Sequence, residues 1–200
     1  MKITVLNGSP KGELSVTIQS VAYLAKIYPQ HEFNIIHIAQ RIKRLETNQA
    51  VFNQVIDQVR ASDAVLWSFP LYILIVHAHY KRFIELIFER GAQAAFAGKY
   101  AASLSTSIHF FDHTAHNYIH AICDDLEMRF VDSFSPDMHD LLKEEGRQQL
   151  ARFGQQFLKG QFRRPRPPAR PVAGPRAGLR PGWLPPPADL PWSGWFESFP

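Results

Sequence analysis

Hydroxyl and amine side chains are concentrated in one short stretch, residues 8–17, which reads Gly-Ser-Pro-Lys-Gly-Glu-Leu-Ser-Val-Thr. A glycine-containing loop that opens a helix leaves backbone N–H groups unpaired at the positive end of the helix dipole, which favours an anion there. Ser9, Ser15 and Thr17 would add hydroxyl donors, and Lys11 would add a mobile positive charge. The stretch therefore predicts an anion-binding site.

The residues on either side supply the strand and the helix that such a site needs. An apolar, β-branched run at residues 3–6 has the length and composition of a strand. After the loop, apolar residues at three- and four-residue spacing predict a helix over residues 15–28. The alternative is an ordinary strand-to-helix turn with Ser15 as its N-cap. The loop matches neither the dinucleotide glycine fingerprint nor the nucleotide P-loop, whose Gly-Lys-Ser/Thr ending is absent.

A histidine-rich stretch is the second group with chemical potential. It contains four imidazoles: His109, His113, His116 and His120. The last three follow an i, i+3, i+7 pattern and would share a helix face. Together with Asp112 or Asp124 they could bind a metal ion. A solvated helix face at the mouth of the site is the favoured interpretation, so no metal ligands are predicted.

The remaining pattern alternates strands with helices. Strands are predicted at residues 33–38, 64–67, 99–106 and 128–131, and helices at 49–60, 77–90, within 107–126 and within 137–159, with a charged connection at 41–46. Such alternation over about 160 residues is typical of an α/β fold in which helices cover both faces of a parallel sheet. Ligands of these sheets bind at the carboxyl ends of the strands. The loops at 8–15, 68–76 and 105–116 are therefore the candidate site.

Composition changes abruptly at residue 161. Residues 161–200 contain eleven of the fifteen prolines and six arginines against Asp189 and Glu197, so they carry the whole formal charge of +4. This Pro/Arg-rich tail is expected to be disordered or polyproline-like. It would be either a linker or ligand for a proline-recognising partner, or a non-native terminus created by a change of reading frame or by truncation of a longer gene.

Charge and cysteine content narrow the functional classes. Because the basic excess lies in the tail, the neutral body, residues 1–160, offers no case for nucleic-acid binding. Cys123 is the single cysteine, so an intrachain disulfide and a cysteine-ligated iron–sulfur cluster or zinc site within one chain are excluded. No apolar stretch approaches membrane-spanning length and the first residues lack signal-peptide character, so a reducing cytoplasm is the expected location and no membrane partner is expected.

Four motifs in the body occur in the order and spacing of a known family. Gly-Ser-Pro-Lys at 8–11 with Ser-Val-Thr at 15–17 is similar to a phosphate loop that usually reads Gly-Ser-Pro-Arg and Ser-Asn-Thr. Pro70-Leu71-Tyr72 is similar to the Pro-x-Tyr that borders a flavin ring in that family. Residues 76–85 follow the family's pattern for the next helix. Residues 98–102 are similar to the Gly-Lys-Pro-x-Ala that precedes its fourth strand. Residues 1–160 resemble the flavodoxin-like NAD(P)H-dependent FMN reductases, which include the flavodoxin-like halves of iron–sulfur flavoproteins.

This resemblance implies a fold and an activity. The fold would be a flavodoxin-like, doubly wound five-stranded parallel sheet in the order 2-1-3-4-5. The protein would be an oxidoreductase that passes reducing equivalents from NAD(P)H through bound FMN to a flavin, quinone or other small acceptor. The alternative is an FMN electron-carrier module without NAD(P)H turnover of its own. A folded relic that binds no flavin is a second alternative. Family members are commonly homodimers or homotetramers, and an iron–sulfur protein is a possible partner.

The same resemblance implies the site residues. The cofactor-binding set would be Ser9, Lys11, Ser15, Val16, Thr17, Pro70, Leu71, Tyr72, Ile73, Thr106 and Ser107. His109 or Asp112 would lie near the flavin or the nicotinamide. No catalytic residue is predicted, because hydride transfer to a flavin needs stacking and exclusion of water more than a protein acid or base.

Residues in three places depart from the family pattern. Ile73 and Leu74 stand where the family often has Trp-Gly, and bulky Leu74 would narrow access to the flavin. His77 replaces a common proline. The fourth strand ends in Ser-Thr-Ser-Ile at 105–108, where Thr-Gly-Gly is frequent. The cysteine-rich segment of iron–sulfur flavoproteins is missing, so any cluster would lie on another chain or on a lost domain.

Overall fold

The computed structural model of the chain describes residues 1–71, 73–108 and 111–160. The predictions that concern Tyr72, His109 and the tail at 161–200 lie outside these ranges. The division of the chain at residue 160 into a cofactor domain and a tail accordingly stays a prediction.

The described residues contain one sheet of five parallel strands, in the predicted order 2-1-3-4-5. The strands are β1 (Lys2–Asn7), β2 (Glu32–His37), β3 (Ala64–Pro70), β4 (Tyr100–Thr106) and β5 (Arg129–Phe134). The central strand, β3, is buried from Ala64 to Phe69, as its continuous apolar run predicts for a strand that is covered on both faces. The flavodoxin-like fold prediction is confirmed.

Six α-helices in the described ranges cover this sheet. They are α1 (Val16–Ile27), α2 (Ile38–Thr47), α3 (Gln49–Arg60), α4 (Ala78–Glu89), α5 (Asp112–Asp125) and α6 (Glu144–Leu158), with short 3₁₀ turns at Gly12–Leu14, Gln93–Ala95 and Asp140–Leu142. Helices α1 and α6 pack on one face of the sheet through residues such as Leu24 and Phe153. Helices α2 to α5 pack on the other face through residues such as Ile42, Phe83 and Ile119.

One predicted connection is wrong. The charged segment at 41–46 belongs to helix α2 instead of a loop. Ile38, Ala39, Ile42 and Leu45 are all buried, and their spacing of one, three and three residues places them on one helix face. The charged residues between them project to the opposite, solvent-exposed side of the helix. Burial of the short apolar stripe therefore determines that this segment is helical.

Two smaller corrections concern the C-terminal end of the body. Within the segment 137–159, where a helix is predicted, the apolar spacing predicts an inward-facing Leu142, but this residue lies in the 3₁₀ turn before α6 and is 79% exposed. Strand β5 extends to Phe134, beyond the predicted end at residue 131, because Ser133 and Phe134 still pair with β4. Both differences lie next to the carboxyl edge of the sheet, where the candidate loops begin.

Candidate functional site

The loop between β1 and α1 is anchored at the centre of the sheet. The Gly8 N–H donates to the Ser68 carbonyl of β3 at 2.7 Å. A Cβ atom on Gly8 would lie only 2.6 Å from the Tyr80 ring, so a glycine is required for this close approach. The Tyr80 hydroxyl in turn donates to the Leu6 carbonyl at 2.7 Å. The loop therefore leaves the sheet at a position that β3 and α4 determine.

Short hydrogen bonds fold the loop on itself. The Ser9 N–H donates to Asn7 Oδ1 at 2.9 Å, and the Lys11 N–H donates to Ser9 Oγ at 3.2 Å. Because Ser9 Oγ accepts from the backbone, its own proton stays available to a ligand. Gly12 has a φ of +56°, a conformation that an L side chain rarely adopts. The Lys11 side chain is exposed beside this turn.

The loop delivers the start of α1 with its donors unpaired. Ser15 is the N-cap, and its buried side chain makes no capping hydrogen bond. The backbone N–H groups of Val16, Thr17 and Ile18 meet no acceptor among the described residues. Three amides and a hydroxyl at the positive end of a twelve-residue helix form an arrangement suited to an anion.

Thr17 lies deeper than the other residues of this loop. Its side chain is fully buried, and its Oγ1 lies 2.5 Å from Thr106 Oγ1 at the end of β4. The two predicted site residues, 89 positions apart in sequence, are therefore brought together. One hydroxyl proton is used between them, so Thr17 offers a ligand mainly its backbone N–H.

The second loop follows β3 and contains a strained turn. Leu71 is buried, and its N–H donates to the Thr106 carbonyl at 3.1 Å, while the Ile73 side chain is 67% exposed. The Ile75 N–H donates to the Ile73 carbonyl at 2.6 Å, which closes a three-residue turn around Leu74. Leu74 has a φ of +59° at the position where the resembling family often has glycine. Tyr72, the aromatic residue predicted to border a ring, lies outside the described ranges.

The third loop follows β4, and a polar contact holds its beginning. Ser107 is buried and its Oγ donates to Asp112 Oδ1 in the first turn of α5 at 2.7 Å. Thr106 and Ser107 thus lie side by side at the strand end, between α1 and α5. Pro70 ends the neighbouring strand and pairs in register with Thr106. The described members of the predicted set consequently share one edge of the sheet.

The interpretation of the histidine stretch as a solvated face is wrong for His116. Its imidazole is buried, with Nδ1 at 2.7 Å from Ser103 Oγ and Nε2 at 3.1 Å from Ser105 Oγ and 2.9 Å from Ser135 Oγ. Burial lowers the pKa of His116 to about 4, against a smaller opposing effect of Asp112. The ring is therefore neutral at physiological pH, and it connects β4 to the segment after β5.

The other described histidines of that stretch, His113 and His120, point elsewhere. His113 is exposed, and His120 stacks on Phe130 with ring centroids 4.4 Å apart. No group of three or more His, Cys, Asp or Glu side chains suited to a metal ion occurs in the described part of the chain. Cys123 is buried, and burial raises the pKa of its thiol, so it is a core residue and no ready nucleophile.

Two residues that position the loop were missed at the sequence level. Asn7, which ends β1, is fully buried and holds the Ser9 amide. His37, which ends β2, lies 2.8 Å from Asn7 and 3.1 Å from Glu13 in the loop. A polar residue that directly follows the apolar pair Val5-Leu6 and precedes the glycine loop is the signal that could have identified Asn7.

Exposed apolar side chains surround this edge. The large hydrophobic residues found exposed in the described ranges all lie in the loops that follow β1, β3, β4 and β5: Leu14, Ile73, Leu74, Ile75, Ile108, Phe111, Met138 and Leu142. Large exposed apolar groups concentrated on one side of a protein indicate an interaction site. None of the helices in the described ranges combines the length and apolar character needed to cross a membrane.

Solved structures share this architecture. An NADH:FMN oxidoreductase in its apo form is similar with a TM-score of 0.65 at 19% identity, over 82% of this chain and 91% of that one. FerB, an NAD(P)H:acceptor oxidoreductase from Paracoccus denitrificans, is similar with a TM-score of 0.58 at 18% identity, over 80% of this chain and 98% of that one. An FMN-dependent NADH-azoreductase from Bacillus anthracis in complex with FMN has a TM-score of 0.56 at 10% identity, over 78% of this chain and 98% of that one. At these identities the likeness concerns the fold.

Sequence comparison adds the family. No curated protein sequence matches the chain. A family model described as a flavodoxin-like fold matches residues 1–159, which include every described strand and helix and the loops at the carboxyl edge of the sheet. The chain therefore belongs to this flavodoxin-like family.

Proposed function

We propose that this protein is an NAD(P)H-dependent oxidoreductase that holds FMN at the carboxyl edge of its sheet and reduces a small acceptor. The observation that carries the proposal is the start of α1, where the amides of Val16, Thr17 and Ile18 lack acceptors among the described residues. A phosphate monoester is a dianion that accepts several short hydrogen bonds from such donors. The similar structures, which include an NADH:FMN oxidoreductase and an FMN-dependent NADH-azoreductase, support the same assignment.

The phosphate would be held by the first loop. In this proposal Ser9, Ser15 and Thr17 surround the phosphate, with the Val16 amide as a further donor and Lys11 as a cation above it. The buried hydroxyls of Ser9 and Ser15 fit a desolvated anion, and Gly8 allows the chain to pass close to the Tyr80 ring. No carboxylate is buried among these residues, so the electrostatics favour a dianion.

The second and third loops would border the flavin ring. The proposed contacts are Pro70, Leu71, Tyr72, Ile73, Thr106 and Ser107. Exposed Ile73 offers the apolar cover that a flat ring needs, and Ser107 is fixed by Asp112 at the strand end. FMN, when bound, supplies the carrier that accepts a hydride from the nicotinamide. The residues of the chain orient the ring and exclude water, and we assign no catalytic residue.

The exposed apolar loops also bear on partners. We propose that a second copy of the chain packs against the carboxyl edge, because its large exposed apolar side chains concentrate there. Analytical ultracentrifugation would then give a dimer or tetramer, and an Ile73→Asp/Ile108→Asp variant would shift the species toward the monomer. A monomeric wild-type protein at micromolar concentration would contradict this.

Flavin titration tests the central claim. Protein freed of any bound flavin is titrated with FMN and with riboflavin, which has the same ring but no phosphate, and ligand fluorescence is followed. We expect FMN to bind at least about a hundredfold more tightly than riboflavin, since several charge-assisted hydrogen bonds hold the phosphate. Absence of any FMN binding would overturn the proposal.

A serine substitution tests the phosphate loop itself. We expect Ser15→Ala to weaken FMN binding about tenfold and to leave riboflavin binding unchanged, because one hydrogen bond to the phosphate is lost. Ser62→Ala is the matched control, since Ser62 is also buried but precedes β3 at the opposite edge of the sheet. An FMN affinity that Ser15→Ala does not change would place the phosphate elsewhere.

Turnover assays separate the two redox roles. The FMN-loaded protein is mixed with NADH or NADPH and with a quinone, free flavin or an azo dye as probe acceptors. Steady oxidation of the nicotinamide supports the oxidoreductase. FMN binding without turnover would instead favour an electron-carrier module that serves another protein, such as an iron–sulfur protein.

A further inference from the structure

A series of side-chain hydrogen bonds links the end of β2 to the loop before α1. Asn7 Nδ2 lies 2.8 Å from His37 Nδ1, and Asn7 Oδ1 accepts the Ser9 N–H at 2.9 Å. On the far side of the ring, His37 Nε2 lies 3.1 Å from Glu13 Oε1. Asn7 is fully buried, and the His37 side chain is 15% exposed. The loop is thus held by side chains of two adjacent strands.

The donors and acceptors in this series of hydrogen bonds can be assigned by starting from the Ser9 N–H. A backbone N–H can only donate, so the Ser9 amide fixes the Asn7 oxygen on its own side. The Asn7 amide nitrogen must then face His37, and its hydrogen needs an acceptor at Nδ1. The imidazole proton consequently resides on Nε2, which donates to the Glu13 carboxylate. His37 is therefore an oriented link with one ring nitrogen as acceptor and the other as donor.

The corner between β2 and α2 also supports the other side of the loop. Gln40, in the first turn of α2, donates from Nε2 to the Pro10 carbonyl at 3.3 Å. A Cβ on Gly12 would lie 2.5 Å from that nitrogen, so the loop and Gln40 are in close contact. Asn7 Nδ2 also lies 3.5 Å from the Gly12 carbonyl. The loop shape thus depends on residues outside its own sequence.

We infer that His37 is a positioning residue for the phosphate site, and that it acts through Asn7 on the segment containing Ser9. This inference rests on the proposed function, because it concerns how the same loop is prepared for the FMN phosphate. Without an acceptor at Nδ1, Asn7 Nδ2 keeps only its longer contact with the Gly12 carbonyl at 3.5 Å, and the Asn7 side chain is held less firmly. The Ser9 amide then loses a defined acceptor, and the loop must be ordered when the phosphate binds.

Three variants at this position separate positioning from a general effect on folding. His37→Leu removes both ring nitrogens. His37→Asn keeps an acceptor oxygen near the place of Nδ1, whereas His37→Gln places its amide near Nε2 and removes the acceptor that Asn7 Nδ2 has in the imidazole. His31→Leu is the matched control, since His31 is a partly buried histidine that precedes β2 at the opposite edge of the sheet, next to Met1.

The readout is the ratio of riboflavin to FMN dissociation constants, with thermal melting as a check on folding. We expect His37→Leu and His37→Gln to weaken FMN binding about tenfold with riboflavin binding unchanged, and His37→Asn to restore most of the FMN affinity. His31→Leu should leave both affinities unchanged. If His37→Leu does not fold, the comparison of His37→Gln with His37→Asn gives the same discrimination.

The outcomes distinguish this inference from the proposed function. If the wild-type protein fails to bind FMN, the proposed function falls and the inference falls with it. If the wild-type protein binds FMN but the Leu and Gln variants bind it equally well, the positioning role alone is overturned. An equal loss of FMN and riboflavin affinity would also overturn it, because such a loss reports the fold and not the phosphate loop.

Discussion

His116 illustrates how a buried polar side chain is accommodated at the scale of a single residue. The serine hydroxyls around its ring can each donate or accept, so a neutral imidazole finds both an acceptor and a donor. A protonated ring would need acceptors for two N–H groups and would lose its hydration in the core. The site therefore stabilises only the neutral form, and this has a measurable consequence.

Stability should fall with acid in a window that His116 determines. Burial lowers the pKa of His116 from 6.5 to about 4. Between these values the unfolded chain takes up a proton that the folded protein does not, so the free energy of unfolding decreases as pH falls. We expect about 3 kcal/mol to be lost between pH 7 and pH 4 through this residue. Urea denaturation across this range measures it.

The control for this prediction lies on the same helix. His116→Gln should be less stable at pH 7 but should show a smaller loss of stability toward pH 4, whereas Asn117→Gln, which changes an exposed and non-titrating residue of α5, should keep the wild-type slope. Carboxyl groups also titrate in this range, so the difference between variants carries the information. A His116→Gln slope equal to that of the wild-type protein would contradict the prediction.

Leu74 stores backbone strain at the mouth of the site. A left-handed φ costs an L residue about 1 kcal/mol relative to glycine, and Leu74 has a φ of +59°. We expect Leu74→Gly to raise the free energy of unfolding by about 1 kcal/mol, whereas Leu74→Ala should give no gain because it keeps the strain. Glu127→Gly is the matched comparison: Glu127 has a φ of +54° but lies after α5, away from the site. Equal stabilities for Leu74→Gly and Leu74→Ala would show that the turn is unstrained.

At the scale of elements, α1 and α6 are held close together by a glycine. A Cβ on Gly154 would lie 2.6 Å from Leu24 Cδ2 and 2.9 Å from Tyr28 Cε2. The Tyr28 hydroxyl donates to the Ala151 carbonyl at 2.7 Å, one turn before Gly154. The distance between these helices therefore depends on Gly154, although glycine is a poor helix former. This packing supports the helix whose first turn forms the proposed phosphate site.

We expect Gly154→Ala to destabilise the protein. The clash costs about 2 kcal/mol, and the better helix propensity of alanine returns about 1 kcal/mol, which leaves a net loss of about 1 kcal/mol. In a Leu24→Ala background the same substitution should be neutral or stabilising, because the first clashing atom is gone. Thermal or urea denaturation of the two single variants and the double variant gives the coupling.

A substitution on the exposed side of α6 measures how much helix propensity alone contributes to the stability change of Gly154→Ala. Gln155→Ala changes propensity without a buried contact and should alter stability by only a few tenths of a kcal/mol. A Gly154→Ala variant that is more stable than the wild-type protein would show that α1 and α6 can separate slightly without cost.

At the scale of the whole molecule, the body and the tail differ in composition and charge. The buried residues of the two hydrophobic clusters, one on each face of the sheet, lie between Ile3 and Phe157. We expect a chain that ends at Gly160 to keep its free energy of unfolding within about 1 kcal/mol and to keep its FMN affinity. It should also lose the basic character of the full chain, whose pI is about 9.3, because the excess arginines are removed. A large drop in melting temperature would contradict the assignment of residues 1–160 as an independent domain.

The sequence by itself determined the elements and the position of the loops. The β-branched run before residue 8 and the apolar spacing in α3 and α4 decide strand and helix locally, and the alternation of the two implies a parallel sheet with ligands at its carboxyl edge. The glycines and hydroxyls between residues 8 and 17 indicate an anion loop. Helix α2 was missed because residues 41–46 contain four charged residues and only two apolar ones, Ile42 and Leu45.

Only the tertiary structure decided which side chains meet. Thr17 contacts Thr106, Asn7 contacts His37, and His116 contacts Ser103, each across an interval of sequence without a local signal. These contacts depend on strand order and on the packing of helices against the sheet. The physical reason is that hydrophobic burial fixes the elements, while the polar contacts at their ends form only where burial has already placed two strand or helix ends side by side.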